Sequence, residues 1–362
     1  MKKIIFYFNS MAPAGGIERV IASHITFLND AHEIILITKD DEPSFYSLPD
    51  NIRIYSLLTD FKLNMNSRWQ RVAKILASTL GTCLALRKQF KITTPDIVYV
   101  ASPLNLLEVV LAGINCENII VTEHSSFSAY NLIYKTIIFL FYPRLGLLMV
   151  PTKLDSNYYR KHGIANSYLP NPITIFPDHI SNLSSKWAIC VGRLTDDKRH
   201  DLLLDIWDSS GIHRLGWKLK IIGKGECESN LKNKINAMNL SDSVVIEEPT
   251  PKIQDEFIAS SIFLLTSRAE GFGLVLAEAM ACGVPCISFD CPSGPRDIID
   301  DGKTGRLLQE GDIGGYALAL RDIATNSSLR VMLGLNARLA AKKFHSETIR
   351  IKFNNFFNQT FC

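Results

Sequence analysis

Apolar and polar positions along the chain fall into two alternating textures from the first residues onward. Short β-branched and aromatic runs such as Lys3-Ile4-Ile5-Phe6-Tyr7-Phe8 are followed by longer stretches whose apolar residues recur at helical spacing. Near-continuous apolar strands are the mark of sheets buried on both faces, so the alternation predicts parallel sheets covered by helices. The first series has expected strands at 3–8, 33–38, 52–56, 96–101, 118–123 and 146–151, with helices at 17–28, 68–88, 104–112, 127–141 and 153–161.

A passage rich in Pro, Asn and Ser, from Leu169-Pro170-Asn171-Pro172 to Ser185, breaks this rhythm, and a second series starts at Trp187. Its expected strands are 187–191, 218–222, 244–247, 262–265 and 285–289, with helices near 200–207, 227–238, 253–259 and 274–282. After Gly311 the chain turns helical, and residues 346–357 carry Ile349, Ile351, Phe353, Phe356 and Phe357 on a basic helix. The expected organisation is two Rossmann-like domains, 1–172 and 173–344, with a cleft between them and a C-terminal helix at 345–362. That helix has two packings open: it crosses back to the first domain and so packs across both, or it lies on the second domain alone.

A length of 362 residues with 47% hydrophobic and 21% charged composition supports two buried cores and excludes a disordered or fibrous chain. Met1-Lys2-Lys3 leads into a run too short for a secretory h-region, which gives the expectation of a cytoplasmic protein. Eight scattered cysteines, several inside apolar runs, read as reduced thiols. Cys282, Cys286 and Cys291 lack a C-x-x-C pair and a nearby histidine, so core thiols are favoured over zinc. The apolar stretch from Leu132 to Val150 is interrupted by Lys135 and Pro143-Arg144, which argues against a membrane span. The net charge of +3 is uneven: 17 basic and 14 acidic residues through Ser181, then 22 of each.

Ligands of doubly wound sheets bind beyond the carboxyl ends of strands, where helix N-termini present unpaired N–H groups. After the first strand, Gly15-Gly16-Ile17-Glu18 marks a turn into a helix. Its glycines suit either the approach of an anion or a turn at positive φ. In the second half, Gly192-Arg193-Leu194-Thr195-Asp196-Asp197-Lys198 offers a guanidinium fork and an ammonium just past a strand, which suits a diphosphate or a solvated turn. Gly223-Lys224-Gly225 follows the next strand and would let a flat group reach the backbone.

The densest signal is Glu270-Gly271-Phe272-Gly273-Leu274-Val275-Leu276-Ala277-Glu278. A carboxylate, a glycine loop and a helix N-terminus converge there, and Glu278 falls about two turns down an apolar helix. By itself the run also fits a helix-start acid and a solvent-facing edge.

Together these motifs, with Val191-Gly192-Arg193-Leu194, Cys282-Gly283-Val284-Pro285 and Asp301-Gly302-Lys303-Thr304-Gly305, resemble the retaining glycosyltransferases of family 4, which have the GT-B fold. The resemblance covers nearly the whole chain. In the first half it rests on Gly15 to Arg19, Thr122-Glu123-His124 and Asn171-Pro172, and Ser288 to Pro295 looks like members that build bacterial surface polysaccharides such as O-antigen, capsule or exopolysaccharide.

The resemblance implies a role for each matching residue. Arg193 and Lys198 would neutralise the donor diphosphate, Glu278 would hold the ribose hydroxyls and Glu270 the sugar hydroxyls. Amides of Phe272, Gly273, Leu274 and Val275 would seat sugar and phosphates, with Gly223 at the neighbouring strand end. Gly16 would let the first domain approach the diphosphate, and His124 would face the donor sugar. Cations at the phosphates stabilise the charge that develops as the sugar–phosphate bond breaks, so no metal is implied. The chain departs from the pattern at Glu248-Pro249-Thr250-Pro251, where many relatives place a glycine loop near the base, so the resemblance says less about the base.

From Phe61 to Pro95 there are seven basic residues (Lys62, Arg68, Arg71, Lys74, Arg87, Lys88, Lys91) and no acid, interleaved with Trp69, Ile75, Leu76 and Leu80. This reads either as attraction to an anionic membrane surface or as a packed helix with a basic face; no nucleic-acid motif accompanies it. The expectation is therefore a peripheral enzyme on the inner face of the cytoplasmic membrane. It would transfer a hexose or N-acetylhexosamine from a UDP-sugar to a polyprenyl-diphosphate-linked saccharide, as in lipopolysaccharide assembly. A sugar-nucleotide epimerase of the same fold and a non-catalytic binding protein are the competing readings.

Overall fold

In the computed structural model residues 1–59 and 68–362 are described, residues 68–78 by their backbone alone. The chain forms two compact units, Met1–Pro170 with Ile349–Cys362, and Asn171–Thr348.

The first unit is built on seven parallel strands: β1 (Lys3–Phe8), β2 (Glu33–Thr38), β3 (Arg53–Ser56), β4 (Ile97–Val100), β5 (Ile119–Thr122), β6 (Leu147–Val150) and β7 (Ser167–Tyr168), in the order β3-β2-β1-β4-β5-β6-β7. Its helices are α1 (Gly16–Asn29), α2 (Arg68–Thr93), α3 (Pro103–Leu111), α4 (Leu132–Phe141) and α5 (Lys153–Lys161). Successive strand residues feed opposite cores. Ile4, Phe6 and Phe8 pack with Ile21 and Ile25 of α1, while Ile5 and Tyr7 pack with Leu86, Leu106 and Ile138 of α2, α3 and α4.

The expected helix at 127–141 is divided. Phe127–Ala129 is a short 3-10 turn, and the Asn131 side chain then accepts from the Tyr134 amide and starts α4 one residue later. An Asn cap satisfies an N–H that a continuous helix would have used internally.

The second unit repeats the scheme with β8 (Trp187–Val191), β9 (Lys218–Ile222), β10 (Val244–Glu247), β11 (Ile262–Leu265), β12 (Cys286–Phe289) and β13 (Gly305–Leu308), ordered β10-β9-β8-β11-β12-β13 and parallel throughout. Helices α6 (His200–Ser210), α7 (Glu228–Ala237), α8 (Ile253–Ile258), α9 (Leu274–Ala281), α10 (Pro295–Ile298), α11 (Ile313–Thr325) and α12 (Ser327–Ala341) cover it.

The last helix, α13 (Ser346–Phe361), belongs from Ile349 onward to the first unit, where Ile349, Phe353 and Phe357 are fully buried in the core beneath α1. Each sheet reverses its strand order once, at β1/β4 in the first unit and β8/β11 in the second. At such a switch point the flanking loops lead to opposite faces of the sheet and leave a crevice.

Candidate functional site

At the β8/β11 switch point the loops after the two strands are bonded to each other. The Arg268 amide donates to the Asp197 carbonyl (2.8 Å), and the Thr266 hydroxyl donates to the carbonyls of Lys198 (3.1 Å) and Arg199 (3.0 Å). These cross-links bring Lys198 Nζ to 2.7 Å from Glu270 Oε1. The side chains are 18% and 9% exposed, so water screens the pair weakly. Burial by itself lowers the Lys198 pKa, but the adjoining Glu270 carboxylate outweighs it and holds the ammonium above its ordinary value. Lys198 is therefore charged at neutral pH.

Arg193 is exposed on the same loop. Burial works to raise the Asp197 carboxyl, yet the Thr195 hydroxyl and the charges of Lys198 and Arg193 keep it below the usual range.

Glu270 leads into the helix that carries the rest of the motif. Gly273 adopts φ +86 as it turns the chain into α9, a left-handed conformation that favours glycine. Phe272, Leu274 and Glu278 are buried and Val275 half-buried. A neighbouring loop, Cys291–Gly294, braces this turn: the Glu270 amide donates to the Pro292 carbonyl, and a Cβ on Gly294 would stand 2.3 Å from the Phe272 carbonyl oxygen. Cys282, Cys286 and Cys291 are fully buried, and burial pushes the first and last thiols up to about 12.

Gly223 and Gly225 serve a closer constraint than ligand access. A Cβ on Gly223 would lie 1.9 Å from the Gly192 carbonyl oxygen, and one on Gly225 2.3 Å from that of Leu194. They allow the loop after β9 to press against the loop that carries Arg193 and Lys198. Thus the second unit brings Lys198, Glu270 and the Phe272–Val275 turn together, with Arg193 on the same loop and Gly223 beneath it.

At the β1/β4 switch point of the first unit lies a cavity of about 330 Å³, lined by Asn9, Ile17, Ser102, His124, Tyr130 and Tyr134 among others. Gly16 opens α1 beside Ile17, and neither Gly15, at φ −99, nor Gly16 is at positive φ, so the reading of this pair as a turn at positive φ does not hold. Burial lowers the His124 pKa to about 4, which leaves the ring neutral at pH 7, with Nε2 2.9 Å from the Thr122 hydroxyl.

Glu123 turns inward, where the hydroxyls of Tyr130 (2.5 Å), Tyr142 and Tyr159 (3.3 Å) donate to it. Burial raises its carboxyl to about 7 despite these donors. A second carboxylate, Glu108, accepts from Tyr7 (2.7 Å), Lys39 (2.8 Å) and Asn105 (3.3 Å), and Asn105 also donates to Asn9 (3.0 Å). The sequence alone does not single out Asn9, Asn105, Glu108 or Tyr130. The available signal was Asn105 and Glu108, two polar residues three apart on an otherwise apolar helix, which need partners when buried.

Of the basic segment, Lys62 and the side chains of Arg68, Trp69, Arg71, Lys74, Ile75 and Leu76 lie outside the described residues. Arg87, Lys88 and Lys91 are exposed on α2. No helix among the described residues is long and apolar enough to cross a membrane.

Two family models match the chain: Glycosyltransferase Family 4 over residues 14–175 and Glycosyl transferases group 1 over residues 173–340. An amylovoran biosynthesis glycosyltransferase of Erwinia amylovora is 26% identical, over 99% of this chain and 100% of that protein. A Campylobacter jejuni enzyme is 26% identical over 97% of this chain and 96% of its own; it is named as an α-1,4-N-acetyl-D-galactosaminyltransferase acting on a diNAcBac-PP-undecaprenol-linked GalNAc saccharide. Among solved structures, a TarM mutant of S. aureus in complex with fondaparinux, α-GlcNAc-glycerol and UDP superposes with a TM-score of 0.81, covering 99% of this chain and 100% of that one. At 16% identity that likeness establishes the fold.

Proposed function

The chain belongs to the family 4 type of glycosyltransferases with the GT-B fold, and from that premise we propose a specific transfer. It moves a hexose or N-acetylhexosamine from a UDP-sugar, with retention of configuration, to a lipid-linked saccharide in surface polysaccharide or lipopolysaccharide assembly. The observation that carries this reading is the Lys198–Glu270 pair, held 2.7 Å apart at the switch point of the second sheet beside the N-terminus of α9.

Breaking a sugar–phosphate bond builds positive charge at the anomeric carbon and negative charge on the departing diphosphate. Lys198 and Arg193 supply fixed cations for the diphosphate, and the amides of Phe272, Gly273, Leu274 and Val275 add donors where the dipole of α9 favours an anion. These charges do the neutralising, and the reading needs no metal. Glu270, already anchored by Lys198, accepts from sugar hydroxyls, and Glu278 accepts from the ribose. In the first unit Gly16 opens the N-terminus of α1 to an anionic group, and His124 meets sugar hydroxyls in the cavity.

The Erwinia and Campylobacter relatives support the class of acceptor by their names, and UDP in the TarM complex supports the donor. Attraction to an anionic membrane is supported by Arg87, Lys88 and Lys91 beside exposed Leu80 and Leu84 on α2, and by exposed Leu132 and Ile133 on α4. Product mass across UDP-, GDP- and ADP-sugars with a polyprenyl-diphosphate-linked saccharide tests the transfer. The expected result is turnover with a UDP-sugar, reduced about 100-fold or more in Glu270→Ala. Unchanged turnover in that variant removes Glu270 from the site, and epimerisation without acceptor overturns the transfer itself.

A further inference from the structure

Four side chains of the first unit form an unbroken hydrogen-bonded line that ends at the cavity. His24 Nδ1 lies 2.8 Å from the Tyr99 hydroxyl, which lies 2.6 Å from the Thr122 hydroxyl, which lies 2.9 Å from His124 Nε2. The residues come from α1, β4, the end of β5 and the loop beyond it, and His24, Tyr99 and Thr122 are buried.

Each hydroxyl has one proton to give, so the protons run one way along the line; a mixed arrangement leaves either a buried hydroxyl proton without an acceptor or the Tyr99 and Thr122 oxygens 2.6 Å apart with no proton between them. In one direction His24 donates from Nδ1 to Tyr99, Tyr99 donates to Thr122, and Thr122 donates to His124 Nε2. In the other, His124 donates from Nε2, and the line ends on a His24 protonated at its own Nε2.

The far end decides between them. His24 Nε2 is buried and has no hydrogen-bond partner among the described residues. Its ring lies against Phe353 of α13 at 4.6 Å between centroids, and against Phe27 at 5.6 Å. A buried N–H almost never goes unpaired, whereas a bare acceptor is tolerated more often. The ring planes of His24 and Phe353 are inclined by only 39°, so an in-plane N–H would not aim at the aromatic face. The Nδ1–H form of His24 is therefore the cheaper one, and it sets the direction of the whole line.

We infer that this line holds a neutral His124 in its Nδ1–H form, so that His124 meets the occupant of the cavity as a hydrogen-bond donor, with His24, Tyr99 and Thr122 as positioning residues. The inference rests on reading the cavity as a saccharide site, since a sugar oxygen is the acceptor that a neutral ring N–H suits. With a proton on Nδ1 and Nε2 already accepting from Thr122, His124 has no lone pair left to act as a general base. Phe353 gives α13 a part in this, because its ring covers the far end of the line.

Long-range proton–nitrogen NMR on the full chain with ¹⁵N-labelled histidine, without substrate, reads the form directly, and His124→Gln identifies the signals. The expected spectrum at neutral pH has a protonated Nδ1 and a bare Nε2 at His124. Thr122→Val removes the donor, moves His124 toward the Nε2–H form and lowers kcat/KM about tenfold, the loss of one neutral hydrogen bond. Thr122→Ser restores both. An Nε2–H ring or an imidazolium in the wild type overturns the inference, as does a His124 spectrum unchanged in Thr122→Val. Sugar transfer is measured separately: the expected spectrum without transfer from any sugar nucleotide sinks the saccharide reading and leaves the line intact, while transfer with the wrong spectrum sinks the line alone.

Discussion

Glu123 places a titrating carboxyl inside the first unit, and the sign of its effect follows from its surroundings. Burial moves it from 4.5 to about 7. Between those values the folded chain keeps a proton that the unfolded chain has lost, so the stability Glu123 contributes falls as pH rises through this window and is flat above it. The whole effect is on the order of 3 kcal/mol. In urea unfolding, the stability of the wild type relative to Glu123→Gln should fall by about that amount between about pH 5 and about pH 8. His24, His124 and His200, lowered by burial from 6.5 to about 3, about 4 and about 4, add stability as pH rises through that range in both proteins and so drop out of the difference. At this scale legibility depended on sequence distance. Lys198 and Glu270 each follow a strand within one motif and could be read locally. His24 and Tyr99 could not, because their partners lie 75 and 23 residues away along the chain.

Among elements, the turn into α9 is the one whose shape depends most on a neighbour. Gly294, at φ +88, has the Phe272 carbonyl where its Cβ would be, whereas Gly302, at φ +72, faces open space. Alanine at either position meets the left-handed penalty of about 1–2 kcal/mol. Only Gly294→Ala must also displace the loop that carries Glu270. Thermal melting should show both variants destabilised, and turnover should fall about tenfold or more in Gly294→Ala while Gly302→Ala stays near wild type. Equal turnover in the two would deny the brace a role. The alternation of apolar strands and amphipathic helices made most elements legible, since central strands such as β1, β4, β5, β11 and β12 are buried on both faces. The edge strands β7 and β13 escaped because Ser167-Tyr168 and Gly305-Arg306-Leu307-Leu308 are too short and too polar to show a pattern. Gly223 and Gly225 were visible as glycines, but the carbonyls they make room for belong to another loop.

For the molecule as a whole, parallel sheets could be read from the buried strands, but strand order could not, because it depends on which crossovers each helix makes. The two switch points are thus properties of the folded units that no local window contains. Charge is distributed at this scale too, with the basic excess confined to the residues through Ser181. Each basic residue near an anionic bilayer contributes about 1 kcal/mol. The wild type should therefore float with anionic liposomes, and a variant with Arg68, Arg71, Lys74, Arg87 and Lys88 neutralised should remain in the dense fraction; equal recovery would contradict the docking. The central claim is that the second unit grips a nucleotide-sugar at Lys198 and Glu270. Calorimetric titration of the wild type and Lys198→Met with a UDP-sugar tests it most directly. Loss of a charge-assisted contact predicts binding weaker by about 10- to 100-fold in a variant that remains folded. Equal affinity in the two proteins would contradict it.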